Sequence, residues 1–296
     1  MPELPEVETT KTSLTPLLGQ SVKALTVFQP KLRWAMPDDL SHLEGYTLDS
    51  VERRAKYLIL TFLPLIKKQQ IRQLIIHLGM SGSLQQHPYG TDKRKHDHLI
   101  MVFGDTNKPD DSATQLHYHD PRRFGAVLWY EDYSHKLLDH LGPEPLSTEF
   151  TADYLYHLIQ RTETNEATNR SRKRPIARPI KSVIMEQQIV VGVGNIYATE
   201  SLYLAGIHPA TPAHQLSYEQ IALLVEHIKI ILQKSIQLGG STLRDFTVAS
   251  GQTGYFQQTL HVYGKQGQFC PNCETVLENI KITGRASVFC SHCQKL

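Results

Sequence analysis

Residue 2 is a proline and residue 3 a glutamate. If Met1 is removed, Pro2 becomes an N-terminal secondary amine. Such an amine can attack a sugar or carbonyl carbon and form an iminium ion without losing a backbone bond. Glu3 would then offer a carboxylic acid one residue from the nucleophile, a workable acid/base partner. The same Pro2-Glu3-Leu4-Pro5-Glu6 run also suits an ordinary helix entry, where proline is favoured and acids complement the helix dipole. At the other end, Cys270-Pro271-Asn272-Cys273 and Cys290-Ser291-His292-Cys293 are separated by sixteen residues. Two Cys-x2-Cys pairs are the spacing of a tetrahedral thiolate site, predicting one structural Zn2+ with no position open for a catalytic water. The Lys281–Ala286 stretch between the pairs reads as a hairpin turn that zinc would hold stiff, with a basic residue at its tip able to reach a substrate.

Two further groups carry possible chemistry. Gly192-Val193-Gly194-Asn195 precedes a helical pattern, so close backbone approach and a helix N-terminus could clasp a phosphate. It lacks the full dinucleotide fingerprint. His96, His98, His117 and His119 could face one another as imidazole pairs and bind a transition metal. They could equally be surface or core histidines, and Lys93, Arg94 and Lys95 disfavour a bound cation.

These residues need elements to position them. A chain of 296 residues, 40% hydrophobic, favours two domains and a small metal module. No run of eighteen apolar residues occurs, so no membrane span is expected. The N-terminus has acids where a signal peptide would have bases, so the expected compartment is the cytoplasm. Thiols there read as metal ligands rather than disulfides. Net charge is only +2, so nucleic-acid binding would have to rest on locally gathered bases. Four gatherings exist: Arg53-Arg54-Ala55-Lys56, Lys93-Arg94-Lys95-His96, Arg122-Arg123, and the acid-free stretch from Arg170 to Lys181 that includes Arg174 and Arg178.

A helix is predicted over Glu6–Leu18, with Val7, Leu14, Leu17 and Leu18 on one side and Gly19 at its end. Strand-like runs follow at Val22–Phe28, Tyr57–Phe62, Ile71–Leu78, His98–Phe103, Gln115–His119 and Gly125–Tyr130. Without regular strand–helix alternation, they predict an antiparallel sandwich or barrel. Residues 107–112 read as a polar loop. Two prolines in Leu141-Gly142-Pro143-Glu144-Pro145 suit a linker. Helices are predicted over Phe150–Gln160, Asn195–Ala205 and Ser217–Leu238. The last has a Ser217/Gln220 capping box, a Leu216/Ile221 staple and an apolar stripe through Ile221, Leu224, Val225, Ile228, Leu232 and Leu238.

In order, Pro2-Glu3-Leu4-Pro5-Glu6-Val7-Glu8-Thr9, Arg53-Arg54-Ala55-Lys56-Tyr57-Leu58, His77-Leu78-Gly79-Met80-Ser81-Gly82, Lys95-His96-Asp97-His98, Asp120-Pro121-Arg122-Arg123-Phe124-Gly125, Val191–Tyr197 and the cysteine hairpin with Arg285 resemble the bacterial formamidopyrimidine-DNA glycosylase family over nearly the whole chain. Leu4 stands where the sister endonuclease VIII family usually has glycine.

The resemblance implies an α+β fold: an N-terminal helix and antiparallel β-sandwich, a helical domain with a helix–two-turn–helix element, and a zinc-ribbon β-hairpin. The implied segments are a catalytic sandwich domain at 1–133, a linker at 134–150, a helical domain at 151–248, a lesion-capping loop region at 249–264 and a zinc finger at 265–296. The implied activity is excision of oxidised purines from damaged double-stranded DNA by a monomeric bifunctional glycosylase/AP lyase. Pro2 resembles the sugar-attacking nucleophile, Glu3 the acid/base, and Lys56 the phosphate-contacting lysine of the lyase step. Met80, Arg122 and Phe124 resemble the residues that fill the space left by the everted base, with Arg122 facing the orphaned cytosine. His96 and Asn195 resemble phosphate contacts, and Arg285 the zinc-finger arginine that grips phosphates at the lesion. The 162–178 segment is longer than expected for the family; Arg174 is taken as the phosphate contact there. An oxidised-pyrimidine glycosylase on this scaffold and a non-catalytic zinc-ribbon DNA-binding protein are the alternatives.

The physical demands agree with this resemblance. A stacked base shields its sugar, so the nucleotide must be extruded and its place filled. Met80 and Phe124 are apolar wedges of suitable size, and the planar Arg122 fork can address cytosine's acceptors.

Overall fold

The computed structural model describes residues 2–65, 70–105, 112–161, 174–240 and 259–296. The polar loop at 107–111, most of the long 162–178 segment, and residues 249–258 of the lesion-capping region lie outside them. The chain forms two compact units. One runs from the chain start to His140 and takes in residues following Ile236; the other comprises Leu141–Ser235 and the C-terminal segment to Leu296.

The first unit begins with α1 (Leu4–Ser13), where Glu3 and Glu6 form a capping box and the Glu3 N–H donates to Glu6 Oε2 at 2.8 Å. The helix starts earlier and stops sooner than the predicted Glu6–Leu18. Pro16 cannot donate a hydrogen bond and disfavours helical backbone at Thr15, so the chain tightens into a 3-10 turn over Thr15–Leu17. Leu14 and Leu17 remain buried, while Leu18 turns to solvent at 40% exposure.

Eight antiparallel strands follow: β1 (Ser21–Val27), β2 (Tyr46–Arg54), β3 (Tyr57–Pro64), β4 (Arg72–His77), β5 (Ser83–Pro88), β6 (Asp97–Gly104), β7 (Thr114–His119) and β8 (Ala126–Trp129). Their order is β5-β7-β6-β1-β2-β3-β4-β8. β1 and β2 are joined only at Ser21–Thr47, so two four-stranded halves fold over one core. Leu25, Leu84, Met101, Phe103, Leu116 and Tyr118 from one half share that core with Leu48, Leu58, Leu60, Phe62, Leu74 and Ile76 from the other. The expected antiparallel sandwich is present. β2 and β5 carry weak strand signals, being rich in Asp, Glu, Arg, Gln and His. Backbone pairing to β3 and β7 makes them strands despite their composition. On the outer side of β4 and β8, α2 (Tyr130–Leu138) packs Leu137 against Ile75, Ala126 and Leu128.

The second unit contains α3 (Ala152–Gln160), α4 (Ile180–Ile184), α5 (Asn195–Leu204), α6 (Tyr218–Gln237, whose last residues join the first unit) and the hairpin β9–β10 (Glu278–Ile282, Arg285–Phe289). Thr151 caps α3 by accepting the Tyr154 N–H at 3.0 Å. The Ser217/Gln220 box forms as expected, with reciprocal bonds of 3.0 and 3.3 Å. Tyr203 and Leu204 of α5 pack with Val262, Cys270, Leu277, Val288 and Cys290 beneath the hairpin. Among the described residues, no helix is long and apolar enough to cross a membrane.

Candidate active site and DNA-contacting surfaces

In the first unit, Pro2 and Glu3 are both buried at the head of α1. Lys56 lies in the two-residue turn between β2 and β3, which pair as far as Arg54–Tyr57. It is buried, at 8% exposure.

Met80, Arg122 and Phe124 line one cavity of about 750 Å3 together with Lys31, Leu32, Arg33, His77, Gly79 and Arg123. Met80 and Phe124 are 41% and 49% exposed, a cost that suits residues waiting for a partner. Two loops present them, and Asp120 ties the loops together. Its Oδ1 accepts from Ser81 Oγ at 2.8 Å, and its Oδ2 accepts the Gly125 N–H at 2.9 Å. Ser81 Oγ in turn accepts the Arg122 N–H at 3.2 Å. Asp120 is fully buried, and these donors compensate its desolvation. Gly79 has φ +65°, and a Cβ there would strike the Phe124 carbonyl carbon. Only glycine lets the two loops approach so closely.

Sequence reasoning assigned no role to Asp120, Ser81 or His77 beyond their place in motifs, and none to Lys31 and Arg33. The signal for Asp120 was its position opening the Asp120-Pro121 turn. His77 is held neutral: desolvation first, then the Lys56 and Arg33 charges, push its pKa from 6.5 to about 4, against the pull of Asp120. Its Nδ1 accepts the Gly79 N–H at 3.1 Å, which leaves Nε2–H as the donor.

His96 is half-buried beside His98 and His119, with ring centroids 6.5 and 5.9 Å away. The four histidines do not form a metal cage. His117 Nδ1 and His119 Nδ1 donate to Asp97 at 2.9 and 2.8 Å, and His98 Nε2 donates to the Asp120 carbonyl at 2.7 Å. Burial works to raise the Asp97 pKa, but His117, His119 and Arg94 outweigh it and hold the carboxyl far below its usual range. This buried charge explains His117 and His119 as structural partners.

In the second unit, Asn195 opens α5 after the glycine loop. Gln187 braces that loop: its Oε1 accepts the Gly192 N–H at 2.9 Å, and its Nε2 donates to the Val193 carbonyl at 3.3 Å. Asn195 Oδ1 is buried without a hydrogen-bond partner. That oxygen is an acceptor and needs a donor; of the side-chain atoms, only the Nδ2 amide of Asn195 could donate to a phosphate. Glu200 of α5 is fully buried and accepts the N–H groups of His261, Val262 and Tyr263 at 2.7–2.9 Å. It fixes the start of the segment that leads into the cysteine hairpin. Arg174 is exposed and stands outside any regular element.

The sulfurs of Cys270, Cys273, Cys290 and Cys293 lie within 4.8 Å of one another, and none is in a disulfide. The separations include 3.4 Å for Cys273–Cys290 and 4.0 Å for Cys270–Cys293. Tetrahedral thiolates at zinc-bond length stand about 3.8 Å apart, so the set fits one structural zinc ion. Tyr203 Oη lies 3.2 Å from Cys270 Sγ, and Gln294 accepts the Cys290 N–H at 2.9 Å. Such outer partners orient a metal's ligands. The hairpin they brace carries Arg285 exposed beside its turn.

A helix-led antiparallel sandwich, a helical unit with a glycine-loop helix and a four-cysteine hairpin define an α+β protein with a zinc-ribbon module. Residues 1–127 match the formamidopyrimidine-DNA glycosylase N-terminal domain, 141–247 the formamidopyrimidine-DNA glycosylase H2TH domain, and 267–296 the zinc finger found in FPG and IleRS. The chain therefore belongs to the formamidopyrimidine-DNA glycosylase family. It is 68% identical to the formamidopyrimidine-DNA glycosylase of Psychrobacter arcticus, over 100% of this chain and 99% of the relative. Identity to the Acinetobacter baylyi enzyme of the same name is 52%, with the same coverage. Among solved structures, wild-type Lactococcus lactis Fpg bound to N7-benzyl-Fapy-dG DNA superposes with a TM-score of 0.83 at 34% identity, covering 100% of both chains. Its complex with abasic-site DNA also gives 0.83 at 34%, over 99% of this chain and 100% of that one.

Proposed function

We propose that this chain excises oxidised purines, 8-oxoguanine and formamidopyrimidines, from duplex DNA and then cleaves the resulting abasic site. The observation that carries the reading is the Pro2–Glu3 pair at the head of α1, in a chain with family-wide identity to named formamidopyrimidine-DNA glycosylases. After Met1 removal, the Pro2 amine attacks the sugar C1′. The C1′–N bond to the damaged base breaks, and the base leaves with a proton. Glu3 assists by protonating the ring oxygen as the sugar opens, which leaves an iminium on Pro2. Loss of a C2′ proton expels the 3′ phosphate, a second elimination expels the 5′ phosphate, and water releases the sugar fragment from Pro2.

Lys56 neutralises phosphate charge beside the reacting sugar, and Arg285, His96, Asn195 and Arg174 supply further phosphate contacts. Such contacts give affinity and register rather than sequence choice. Met80 and Phe124 fill the stack, and Arg122 addresses the orphaned base. Zinc holds the Arg285 hairpin in shape and takes no part in bond making. The five segments at 1–133, 134–150, 151–248, 249–264 and 265–296 are the proposed division of labour. The protein acts as a monomer on DNA in the cytoplasm, without a membrane.

A second lesion class has one supporting observation. Lactococcus lactis Fpg has been solved with DNA containing an oxidised pyrimidine, at a TM-score of 0.83 and 34% identity, covering 100% of both chains. Duplexes carrying each lesion, incubated with the protein and borohydride, test both readings. Reduction of the iminium should leave a permanent crosslink on Pro2. An adduct mapped only to Lys56 would overturn the nucleophile assignment. Excision of pyrimidine lesions alone would overturn the purine preference.

A further inference from the structure

The groups proposed for chemistry come from two supports, the head of α1 for Pro2 and Glu3 and the β2–β3 turn for Lys56. Arg53 touches both. Its Nε donates to Glu8 Oε2 on α1 at 2.6 Å, and its Nη1 donates to the Ala55 carbonyl in the turn at 2.9 Å. The other Glu8 oxygen accepts from Lys11 Nζ at 2.6 Å. The Arg53 and Glu8 side chains are only 11% and 19% exposed, so water screens this pair less than an ordinary surface bridge. Burial works against the Glu8 charge, but Lys11 and Arg53 outweigh it and keep the carboxyl below its usual pKa.

The turn needs such an anchor. Ala55 sits at φ +55°, the left-handed region that costs a residue with a Cβ about 1–2 kcal/mol. Neither glycine nor asparagine is there to relieve it. A contact from outside the turn must help hold that backbone, and the Arg53–Ala55 bond is one. A planar guanidinium can serve a carboxylate and a carbonyl at once. An ammonium concentrates its donors on one atom and lacks the two separated donors, Nε and Nη1, that Arg53 uses here.

We propose that Arg53 is a positioning residue that fixes the Lys56 turn to the helix bearing Pro2 and Glu3, and so sets where the lysine's charge meets the reacting sugar. The inference rests on the functional reading above, in which Lys56 assists strand cleavage. Arg53 itself need touch no DNA.

The test uses the full zinc-loaded chain on a duplex with a preformed abasic site, which bypasses base excision. Single-turnover cleavage at saturating DNA, DNA affinity and borohydride-trapped fraction are measured for Arg53→Lys, Lys56→Ala and the double variant. Misplacement of a catalytic group by about an ångström can cost up to about a hundredfold; Arg53→Lys should slow cleavage about tenfold, with affinity within about twofold of the parent. In the Lys56→Ala background, the same change should cost less than about twofold, because its target is already gone. Independent, multiplying effects would overturn the inference, as would a variant that is merely less stable and cleaves at the parent rate. Lys56→Ala cleaving at the parent rate would sink the role of Lys56 and the inference with it. A slow Lys56→Ala beside a fully active Arg53→Lys would sink the inference alone. If Arg53→Lys does not fold, Glu8→Gln keeps the turn bond and weakens the tie to α1. It should slow cleavage about threefold, and independence from Lys56→Ala would again overturn the proposal.

Discussion

Lys181 Nζ lies 2.8 Å from Ser287 Oγ and 3.0 Å from the Ala286 carbonyl, and the lysine is only 1% exposed. A residue from α4 thus holds the start of β10 from inside the second unit, directly after Arg285. The basic stretch from Arg170 to Lys181 is therefore not one charged surface. Lys181 turns inward, and Arg178 is engaged with both oxygens of Glu186 at 2.7 and 2.8 Å. Replacing Lys181 with methionine should leave the buried Ser287 hydroxyl and the part-buried Ala286 carbonyl short of a donor, at a cost of about 1–3 kcal/mol. Denaturant unfolding should show that loss, and amide exchange should quicken across 285–289. Unchanged protection there would mean the contact does not brace the hairpin.

Zinc and Arg285 should fail in different ways. Cys290→Ser is expected to lose the metal and the hairpin's order, since a structural site couples binding to folding. Arg285→Ala should keep one zinc per chain and its fold. Its DNA affinity should depend less steeply on salt, with the log–log slope reduced by about 0.9 for one lost phosphate contact. Zinc content and salt titrations on the same preparations separate the two. An Arg285→Ala variant that binds DNA fully but cannot form the Pro2 adduct would place the arginine in the first chemical step instead.

Arg122→Ala should blunt discrimination among the bases opposite the lesion more than it lowers overall affinity. A good bidentate base contact is worth about 1–3 kcal/mol of discrimination. Excision rates against each of the four opposite bases measure this. An unchanged preference would assign the readout elsewhere in the cavity, to Lys31, Arg33 or Arg123.

His77 should give the first unit a distinct acid sensitivity. Its folded pKa, about 4, lies below the ordinary 6.5, so the unfolded chain binds the proton more readily. The stability it protects is whole above pH 6.5 and is lost as pH falls toward 4, by up to about 3 kcal/mol. His77→Gln should flatten stability across that window, and the His77 ring should stay neutral in NMR titration down to about pH 4. Titration near 6.5 would refute the buried, neutral assignment.

Much of the candidate site can be read along the chain because its chemistry is local. The Cys-x2-Cys spacing gives the zinc ligands without knowledge of the fold, since short loops place two thiolates on one metal. The Ser217/Gln220 box and the α6 stripe from Ile221 to Leu232 are likewise local and appear as expected, whereas Leu238 lies past the end of the helix and is exposed. The helix at Glu6–Leu18 and the silent strands β2 and β5 mark the limit: Pro16 overrides an apolar stripe, and pairing overrides polar composition.

The sequence by itself determined the four-cysteine spacing and the order of motifs that resembles the family, and through that resemblance it points to the groups proposed to react: the Pro2–Glu3 pair, the Lys56 turn and the Arg122–Phe124 loop. Only tertiary structure decided what holds them. Asp97 engages His117 and His119, and the Asp120 carbonyl engages His98, so three of the four suspected metal-binding histidines become hydrogen-bonded supports. Asp120 joins loops about forty residues apart, and Lys181 reaches a strand 106 residues away. The physical reason is burial. An isolated charge cannot leave water without partners, and those partners arrive from distant sequence positions only when the chain has folded.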